Sequence, residues 1–234
     1  MTDLMNYLRE RSYPGRGILL GRSADNKKAV IAYFIMGRSA NSRNRIFEKT
    51  ADGIRTRAYD ESRMVDPSLI IYHPVRVLTS GDTVVTNGDQ TDTIRDYMEA
   101  GKTSREALAT RTFEPDGPNW TPRISGVVGK DGTYELSILK SLDGDESCSC
   151  RYFYNYDAPK AGSGHFISTY TGFGDPIPSF AGEPVRVAVE AESAAQLAEQ
   201  IWNALNEDNK VSLFVRYIDL ASGGNDTVIV NKYN

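Results

Sequence analysis

Residues 27–45 of the chain read KKAVIAYFIMGRSANSRNR and contain its longest apolar run. Within them, residues 29–36 are all apolar or aromatic, as in a strand that is buried on both faces. This run is far shorter than the roughly 18 to 20 apolar residues of a membrane-spanning helix. Residues 37–45 then bring three arginines and two asparagines to the end of that strand. The stretch therefore predicts a buried sheet with a basic polar loop at one end.

Ten other segments are rich in β-branched and aromatic residues and are separated by clusters of Gly, Pro, Asn and Asp, which is typical of strands. They comprise residues 17–20, 69–78, 83–86, 123–128, 133–139, 150–156, 165–171, 184–189, 211–218 and 227–230. So many strands in a chain of 234 residues predict extensive β-structure, arranged as two sheets.

Three helices are predicted among these strands. Ser193 is expected to open, with a capping box, a helix whose apolar side chains recur at every fourth residue over 197–205. Asp92 is expected to cap a second helix that runs to Met98, and Thr103 to cap a third. The order of strands and helices predicts an α+β fold, a single domain over residues 1–234, in which helices cover packed antiparallel sheets.

The charges are distributed unevenly along the chain. Overall, 27 Lys and Arg face 31 Asp and Glu, and a net charge of −4 argues against a protein that binds nucleic acid with its whole surface. Residues 1–63 nevertheless carry 13 basic and 7 acidic side chains. An acidic protein can keep a local anion site. We expect one pocket for a phosphate-bearing ligand to gather Arg16, Arg22, Arg38, Arg43 and Arg45.

The scarcity of histidine and cysteine excludes several kinds of chemistry. The two cysteines, Cys148 and Cys150, provide too few ligands for a closed zinc site, and neither His73 nor His165 has a partner at zinc-finger spacing. No G-x-S-x-G motif is present for Ser-His-Asp catalysis. We therefore expect neither a metal site built from side chains nor a Ser-His-Asp triad, no membrane partner and, in the absence of an apolar signal segment, a cytoplasmic location.

Thr2 has two interpretations. After removal of Met1, an N-terminal threonine with a free amine can act as a nucleophile. However, Leu4, Tyr7 and Leu8 follow at helical spacing, which makes Thr2 or Asp3 the N-cap of a short helix. We favour the capping role and expect no N-terminal nucleophile.

Four polar segments are candidates for a site, and each has a simpler explanation. The loop 37–45 could clamp a phosphate or be a solvated basic loop. Residues 86–93, TNGDQTDT, could bind an anion at a helix N-terminus or form a plain turn and cap. The carboxylate at 114, in the segment 113–123, could transfer protons or simply be exposed. The polar face of 165–170 could line a pocket or face water.

Several strings within these segments resemble the archaeal-type IMP cyclohydrolase family, in the family's order from about residue 16 to residue 170. The most specific are NGDQTDTI at 87–94 and TPRI at 121–124. The others are GRS at 21–23, the segment 33–43, the tyrosine at 72 and ISTY at 167–170. Segments around 48–64 and 148–164, and the N-terminal helix, are additions to the archaeal pattern.

The resemblance implies the last step of purine synthesis, in which a formamido-imidazole-carboxamide ribonucleotide closes to inosine monophosphate with loss of water. It also implies a four-layer αββα sandwich like that of N-terminal-nucleophile hydrolases, used without the terminal nucleophile. The partner would be a small purine ribonucleotide, with no nucleic acid, and the reaction would need neither a metal nor an organic cofactor. A homo-oligomer is left open.

The resemblance further implies roles for individual residues. Arg43 would polarise the formyl oxygen, Tyr72 would hydrogen-bond or transfer a proton at the reacting group, and Glu114 would be the general acid and base. The alternatives are a phosphate anchor for Arg43, a core position on the 69–78 strand for Tyr72 and a solvated loop position for Glu114. The expected substrate-binding residues are Arg38, Asn44, Asn87, Gly88, Thr91, Asp92, Thr121, Arg123, Ser168 and Tyr170.

Two other functions fit the sequence less well. One is a catalytically silent nucleotide-binding or regulatory module that has kept the pocket. The other is an amidohydrolase that uses Thr2 as its nucleophile.

Overall fold

The structure is a computed structural model that describes residues 1–171 and 177–233. The helices of the described residues are α1 (Leu4–Arg9), α2 (Ala40–Arg43), α3 (Gln90–Glu99), α4 (Ser104–Ala109) and α5 (Ala194–Ala204). The strands are β1 (Arg16–Arg22), β2 (Lys28–Met36), β3 (Arg45–Lys49), β4 (Gly53–Ala58), β5 (Val75–Val77), β6 (Thr83–Thr86), β7 (Arg123–Val128), β8 (Tyr134–Leu142), β9 (Asp145–Tyr156), β10 (Ser163–Ser168), β11 (Val185–Ala188), β12 (Lys210–Asp219) and β13 (Asn225–Asn231).

These strands form two antiparallel sheets. The first has six strands in the order β11-β10-β1-β2-β12-β13, and the second has seven in the order β3-β4-β5-β6-β7-β8-β9. The apolar run 29–36 is part of β2, which lies between β1 and β12 in the first sheet. The prediction of an α+β fold with two packed antiparallel sheets is confirmed.

Alternation along β2 separates two apolar layers. Ile31, Tyr33 and Ile35 face the second sheet and pack in the core between the sheets. Val30 and Phe34 point the other way, into a core shared with the helices α1 and α5. Strand residues alternate between faces, so one run of apolar side chains serves both layers. A third apolar cluster lies between α3, α4 and the outer face of the second sheet.

The predicted helix caps are largely confirmed. Asp3, not Thr2, caps α1, because its carboxylate accepts hydrogen bonds from the amides of Met5 and Asn6. Thr103 opens α4 with a capping box. The hydroxyl of Ser193 caps α5, although the Gln196 side chain bonds the amide of Glu192 rather than that of the cap.

The predicted start of the second helix was wrong by three residues. Helix α3 begins at Gln90, with Asp89 at the N-cap position. Asp92 lies in the first turn, and its carboxylate accepts a 2.7 Å hydrogen bond from Arg76 Nε. An acidic side chain in the first turn of a helix is stabilised by the same dipole as a cap, so the sequence pattern did not distinguish the two positions.

The segment 69–78 is mostly not a strand, since only Val75–Val77 pairs as β5. In the residues before β5, backbone groups bond the side chain of Thr56. Its Oγ1 accepts from the amide of Tyr72 and donates to the carbonyl of Ile70. Strands β3 and β4 were not predicted. Charged residues on their outer face include the cross-strand pair of Glu48 and Arg55. With these charges in the sequence, the apolar residues of the inner face do not stand out as a strand pattern.

The polar segments meet at one end of the sandwich because, in an antiparallel pair, the start of one strand lies beside the end of its neighbour. Arg16 at the start of β1 pairs with Ile35 near the end of β2, and Gly17 pairs with Ser168 at the end of β10. In the second sheet, the start of β3 meets the end of β4, and the end of β6 meets the start of β7. In the part of the chain that is described, no helix is long and apolar enough to cross a membrane.

Candidate active site

Glu114 is the centre of the polar cluster at this end. It lies between α4 and β7, is only 2% exposed, and its amide donates to the carbonyl of Thr121 over 2.9 Å. Its Oε1 accepts from Asn87 Nδ2 at 3.3 Å, and its Oε2 lies 3.7 Å from Arg16 Nη2. Burial raises the pKa of Glu114 to about 7, against the opposing effect of Arg16 and Arg123. The carboxyl can therefore both accept and donate a proton near neutral pH.

Asn87 holds this carboxyl in place. The Asn87 side chain is buried, and Nδ2 also donates to the carbonyl of Pro122 at 2.9 Å. Its Oδ1 accepts from the amide of Ile124 at 2.8 Å and from Gln90 Nε2 at 3.0 Å. With both ends of the amide bonded to two neighbouring segments, the Nδ2 group has one orientation, which is towards Glu114.

The rest of the NGxxT turn builds the frame of the site. The hydroxyls of Thr86 and Thr91 lie 2.6 Å apart, and both are within hydrogen-bonding distance of the Gly88 carbonyl. A Cβ atom at Gly88 would lie 2.6 Å from Arg123 Nη1 and from Gln90 Oε1. A larger residue here would displace the ends of those two side chains, which pack directly against the backbone of Gly88.

Arg123 is held within this frame. Its Nη1 lies 2.7 Å from Asp89 Oδ1 and 2.7 Å from Gln90 Oε1. Asp89 also pairs with Arg111. Arg123 thus joins the start of β7 to the N-terminus of α3, and because two arginines share one carboxylate, this group keeps a net positive charge.

Two other arginines are buried with donor groups unused. Arg45 is 0% exposed; its Nε and Nη2 donate to the carbonyls of Ser42 and Met36, at 2.7 and 3.3 Å. Its Nη1 has no hydrogen-bond partner, and no carboxylate among the described residues pairs with it. Arg16 is also buried, and its Nε has no hydrogen-bond partner among the described residues, although Glu114 lies 3.7 Å from its Nη2. Arg45 is a buried cation without a counter-ion in the described part of the chain, which is costly, so this geometry is suited to an anionic or strongly polarised oxygen of a ligand.

Tyrosines complete the lining. Tyr72 lies just before β5, and its hydroxyl is 2.8 Å from that of Tyr33 on β2. Tyr170 follows β10; its hydroxyl is 2.6 Å from Thr121 Oγ1, and its ring stacks on that of Tyr13. The hydroxyl of Thr121 is also bonded to Asp116. Thr121, whose carbonyl accepts from the Glu114 amide, thus bonds Tyr170, and both Tyr72 and Tyr170 lie near Arg16.

A cavity of about 580 Å³ opens beside Tyr72, between β4, the segment 61–73 and the start of α3. Asp92 lines it, bonded to Arg76 and 3.9 Å from His73 Nδ1. The cavity is lined by Arg55, Thr56, Arg57, Ala58, Glu61, Met64, Pro67, Ile71, Tyr72, His73, Asp89 and Asp92.

Other predicted residues point elsewhere. Arg43, at the end of α2, donates from Nε to the carbonyl of Gly37 at 2.9 Å and from Nη2 to Asn209 Oδ1 at 3.1 Å. Asn44 bonds the backbone of Asp60 through both ends of its amide. The hydroxyl of Ser168 donates to the carbonyl of Tyr170. These three side chains stabilise the loops around the site.

The remaining predicted arginines occupy different places. Arg38 is exposed, and its guanidinium carbon lies 5.0 Å from the ring centroid of Tyr13, at the rim of the cluster. The expectation that Arg22 shares the pocket was wrong. Arg22 ends the seven-residue β1, about 20 Å from Arg16 at roughly 3.3 Å per residue, and bonds Asn26.

Sequence reasoning gave no individual role to Arg45 or Tyr33, although both are at the centre of the cluster. The sequence placed Tyr33 in the buried strand 29–36 and in the family-like segment 33–43, without a role of its own. Arg45 shares the inner face of β3 with Phe47, but that alternation is visible only once β3 is recognised as a strand. Among the described residues, no group of His, Cys, Asp or Glu could hold a metal ion. Both cysteines are free thiols.

Comparison with known proteins agrees with the positions of these motifs. A profile of the family described as IMP cyclohydrolase-like protein matches residues 13–224. The IMP cyclohydrolase of Halobacterium salinarum is 31% identical over 157 residues, covering 64% of this chain and 76% of the relative. That of Methanopyrus kandleri is 31% identical over 171 residues, covering 71% and 79%. The chain belongs to the IMP cyclohydrolase-like protein family.

Proposed function

We propose that this protein closes a formamido-imidazole-carboxamide ribonucleotide to inosine monophosphate. Its family and the relatives named IMP cyclohydrolase support this reaction. The observation that carries the proposal is the buried Glu114, with a pKa of about 7, next to buried arginines with unbonded N–H groups. Such a combination of a proton-transferring group and fixed donors is what the cyclisation needs.

The reaction forms one C–N bond and removes one water. The carboxamide nitrogen bonds to the formyl carbon of the same molecule and gives up one proton, and the formyl oxygen becomes a hydroxyl. The hydroxyl then leaves as water with a second proton, which comes from the formamido nitrogen as the C=N bond forms. Glu114, first as carboxylate and then as acid, carries protons from nitrogen to oxygen.

The donors around Glu114 act on the oxygen. Tyr72 donates a hydrogen bond to the formyl oxygen, and the free Nη1 of Arg45 stabilises the negative charge that develops there. The resemblance had suggested Arg43 for this role. Because the Arg43 guanidinium is bonded to Gly37 and Asn209, we assign the role to Arg45 instead, and assign Arg43 to holding the loop that carries Arg38.

The nucleotide is held along the same end of the sandwich. Arg38 is free to bind the phosphate, and the cavity beside Tyr72 is large enough for part of a mononucleotide. Since both reacting groups belong to one substrate, holding them in a near-attack conformer supplies much of the rate. The other residues proposed to form the binding site are Asn87, Gly88, Thr91, Asp92, Thr121, Arg123 and Tyr170, while Asn44 and Ser168 are proposed to hold its loops in place.

We also propose that the sandwich is of the N-terminal-nucleophile-hydrolase type, used without a terminal nucleophile. The amide of Thr2 donates to the carbonyl of Arg186 over 2.9 Å, and Thr2 is exposed next to the capping Asp3. We place the enzyme in the cytoplasm, where purine nucleotides are made.

A direct assay tests the function. Purified protein, treated with a chelator, is incubated with the formamido ribonucleotide, and inosine monophosphate is quantified by chromatography. We expect turnover in the wild type and at least a hundredfold loss in Glu114→Gln. Calorimetric binding of inosine monophosphate without any cyclisation would contradict the proposal and favour a silent nucleotide-binding module.

A further inference from the structure

We propose that Tyr33 is a positioning residue, which donates its hydroxyl proton to Tyr72 and thereby leaves the Tyr72 proton free for the substrate. This inference rests on the proposed cyclisation. It adds a residue on a different strand, and in a different sheet, from the catalytic groups described above. Its basis is the 2.8 Å contact between the two hydroxyls, in which either oxygen could be the donor on distance alone.

Access to the cavity decides which oxygen donates. Both tyrosines are buried, and among the described residues each hydroxyl has only the other as a partner, but Tyr72, 6% exposed, lines the cavity and Tyr33, 0% exposed, does not. The Tyr72 proton can therefore find an acceptor in water or substrate, whereas that of Tyr33 has only Tyr72. A buried hydroxyl whose proton has no acceptor pays a penalty of about 1–3 kcal/mol, so the Tyr33 proton is directed at Tyr72. Tyr33 also stays protonated, because burial raises its pKa well above the ordinary value.

The ring of Tyr33 is fixed as well. It lies on β2 between two paired strands and stacks on Phe47 of β3, with ring centroids 5.7 Å apart. The hydroxyl therefore has one position from which to donate. A rigid donor on one strand defines the direction of its acceptor, the hydroxyl of Tyr72, which lies in an irregular segment just before β5.

The consequence concerns the proton of Tyr72. Once its oxygen accepts from Tyr33, the proton of Tyr72 points away from Tyr33 and is available to the formyl oxygen. A hydroxyl that accepts one hydrogen bond is also a stronger donor in the next. Without Tyr33, the Tyr72 hydroxyl can rotate, and part of its population would have the proton pointing away from the substrate.

The test is a double-mutant cycle of Tyr33→Phe and Tyr72→Phe. Tyr33→Phe is expected to lower kcat by about tenfold with KM changed less than about twofold, since it removes one oriented hydrogen bond and no substrate contact. Tyr72→Phe is expected to lower kcat by about a hundredfold. The double variant should be no slower than Tyr72→Phe alone, because Tyr33 acts only through Tyr72.

Tyr217→Phe is the matched control. Tyr217 is also buried, and its hydroxyl donates to the carbonyl of Ala191 over 2.8 Å in the helix-covered core. Loss of that hydroxyl should lower Tm by an amount similar to Tyr33→Phe and leave kcat unchanged. If Tyr33→Phe fails to fold, 3-fluorotyrosine at position 33, a stronger donor of nearly the same shape, should raise kcat.

Three results would overturn the inference. They are an unchanged kcat in Tyr33→Phe, a loss in the double variant equal to the product of the single losses, and a 3-fluorotyrosine enzyme no faster than wild type. Failure of the proposed function is a different result, since the wild-type protein itself would then produce no inosine monophosphate.

Discussion

Glu114→Gln is expected to make the protein more stable above neutral pH while it abolishes most of the activity. The amide resembles the protonated carboxyl in size and hydrogen bonding but carries no charge at any pH. In the folded protein the pKa of Glu114 is raised from 4.5 to about 7 by burial, so the fold favours the protonated form. Wild type therefore loses stability as pH rises from the unfolded pKa to the folded one.

The size of this loss follows from linkage. A shift from 4.5 to about 7 corresponds to about 3 kcal/mol, fully expressed above pH 7 and absent well below pH 4.5. Glu114→Gln should therefore match the wild type near pH 4 and exceed it at pH 8 by up to about 3 kcal/mol. Urea unfolding at a series of pH values measures the difference directly.

Glu146→Gln is the control, because it makes the same chemical change at an exposed position on β9. Its effect on unfolding should remain within about 0.5 kcal/mol at every pH. If Glu114→Gln were instead less stable than the wild type at pH 8, the pairing of Glu114 with Arg16 would outweigh burial, and the raised pKa would be refuted.

Three further outcomes are expected. Because Glu114 acts first as a carboxylate, kcat/KM should rise with pH and level off above an apparent pKa of about 7, and a profile that is flat from pH 5 to 9 would contradict its role as base. Arg45→Met should lower kcat by about a hundredfold or more, whereas Arg43→Met should mainly lower Tm; the reverse ranking in the cyclisation assay would return the oxyanion role to Arg43. Removal of divalent metals with a chelator should leave turnover unchanged, and restoration of lost activity by added magnesium would show a metal requirement.

The sequence predicted those parts of the fold that depend on local pattern. The run 29–36 became β2, and Thr103 and Ser193 capped the expected helices. Strands β3 and β4 were missed because they show no apolar strand pattern in the sequence. They form by pairing with each other, and Glu48 and Arg55 pair across the two strands on the outer face. The segment before β5 was wrongly extended as a strand because the bond between Thr56 and Tyr72 joins residues 16 apart.

Some residues of the site could be predicted from the sequence, because they lie in or near segments that resemble the family. The resemblance implied roles for Glu114, Asn87 and Tyr72, and the structure bonds Glu114 to Asn87 and Thr121, and Tyr72 to Tyr33. Which arginine enters the cluster depends on which residue lies on the inner face of β3. No local pattern shows that Arg45 points inward while Arg43 bonds Gly37. The burial of Glu114, and hence its raised pKa, is likewise a tertiary property.

The spacing between Glu114 and Arg16 connects the frame of the site to its chemistry. Their closest oxygen and nitrogen lie 3.7 Å apart, beyond the 2.7–2.9 Å of a charge-assisted hydrogen bond. Closer approach would lower the pKa of Glu114 and weaken it as a base near neutral pH. Asn87, bonded to Pro122 and Ile124, binds the other carboxyl oxygen and holds the side chain at this distance. The hydrogen-bonded turn thus keeps an acid and a cation close together without letting them neutralise each other, so that both remain available to the substrate.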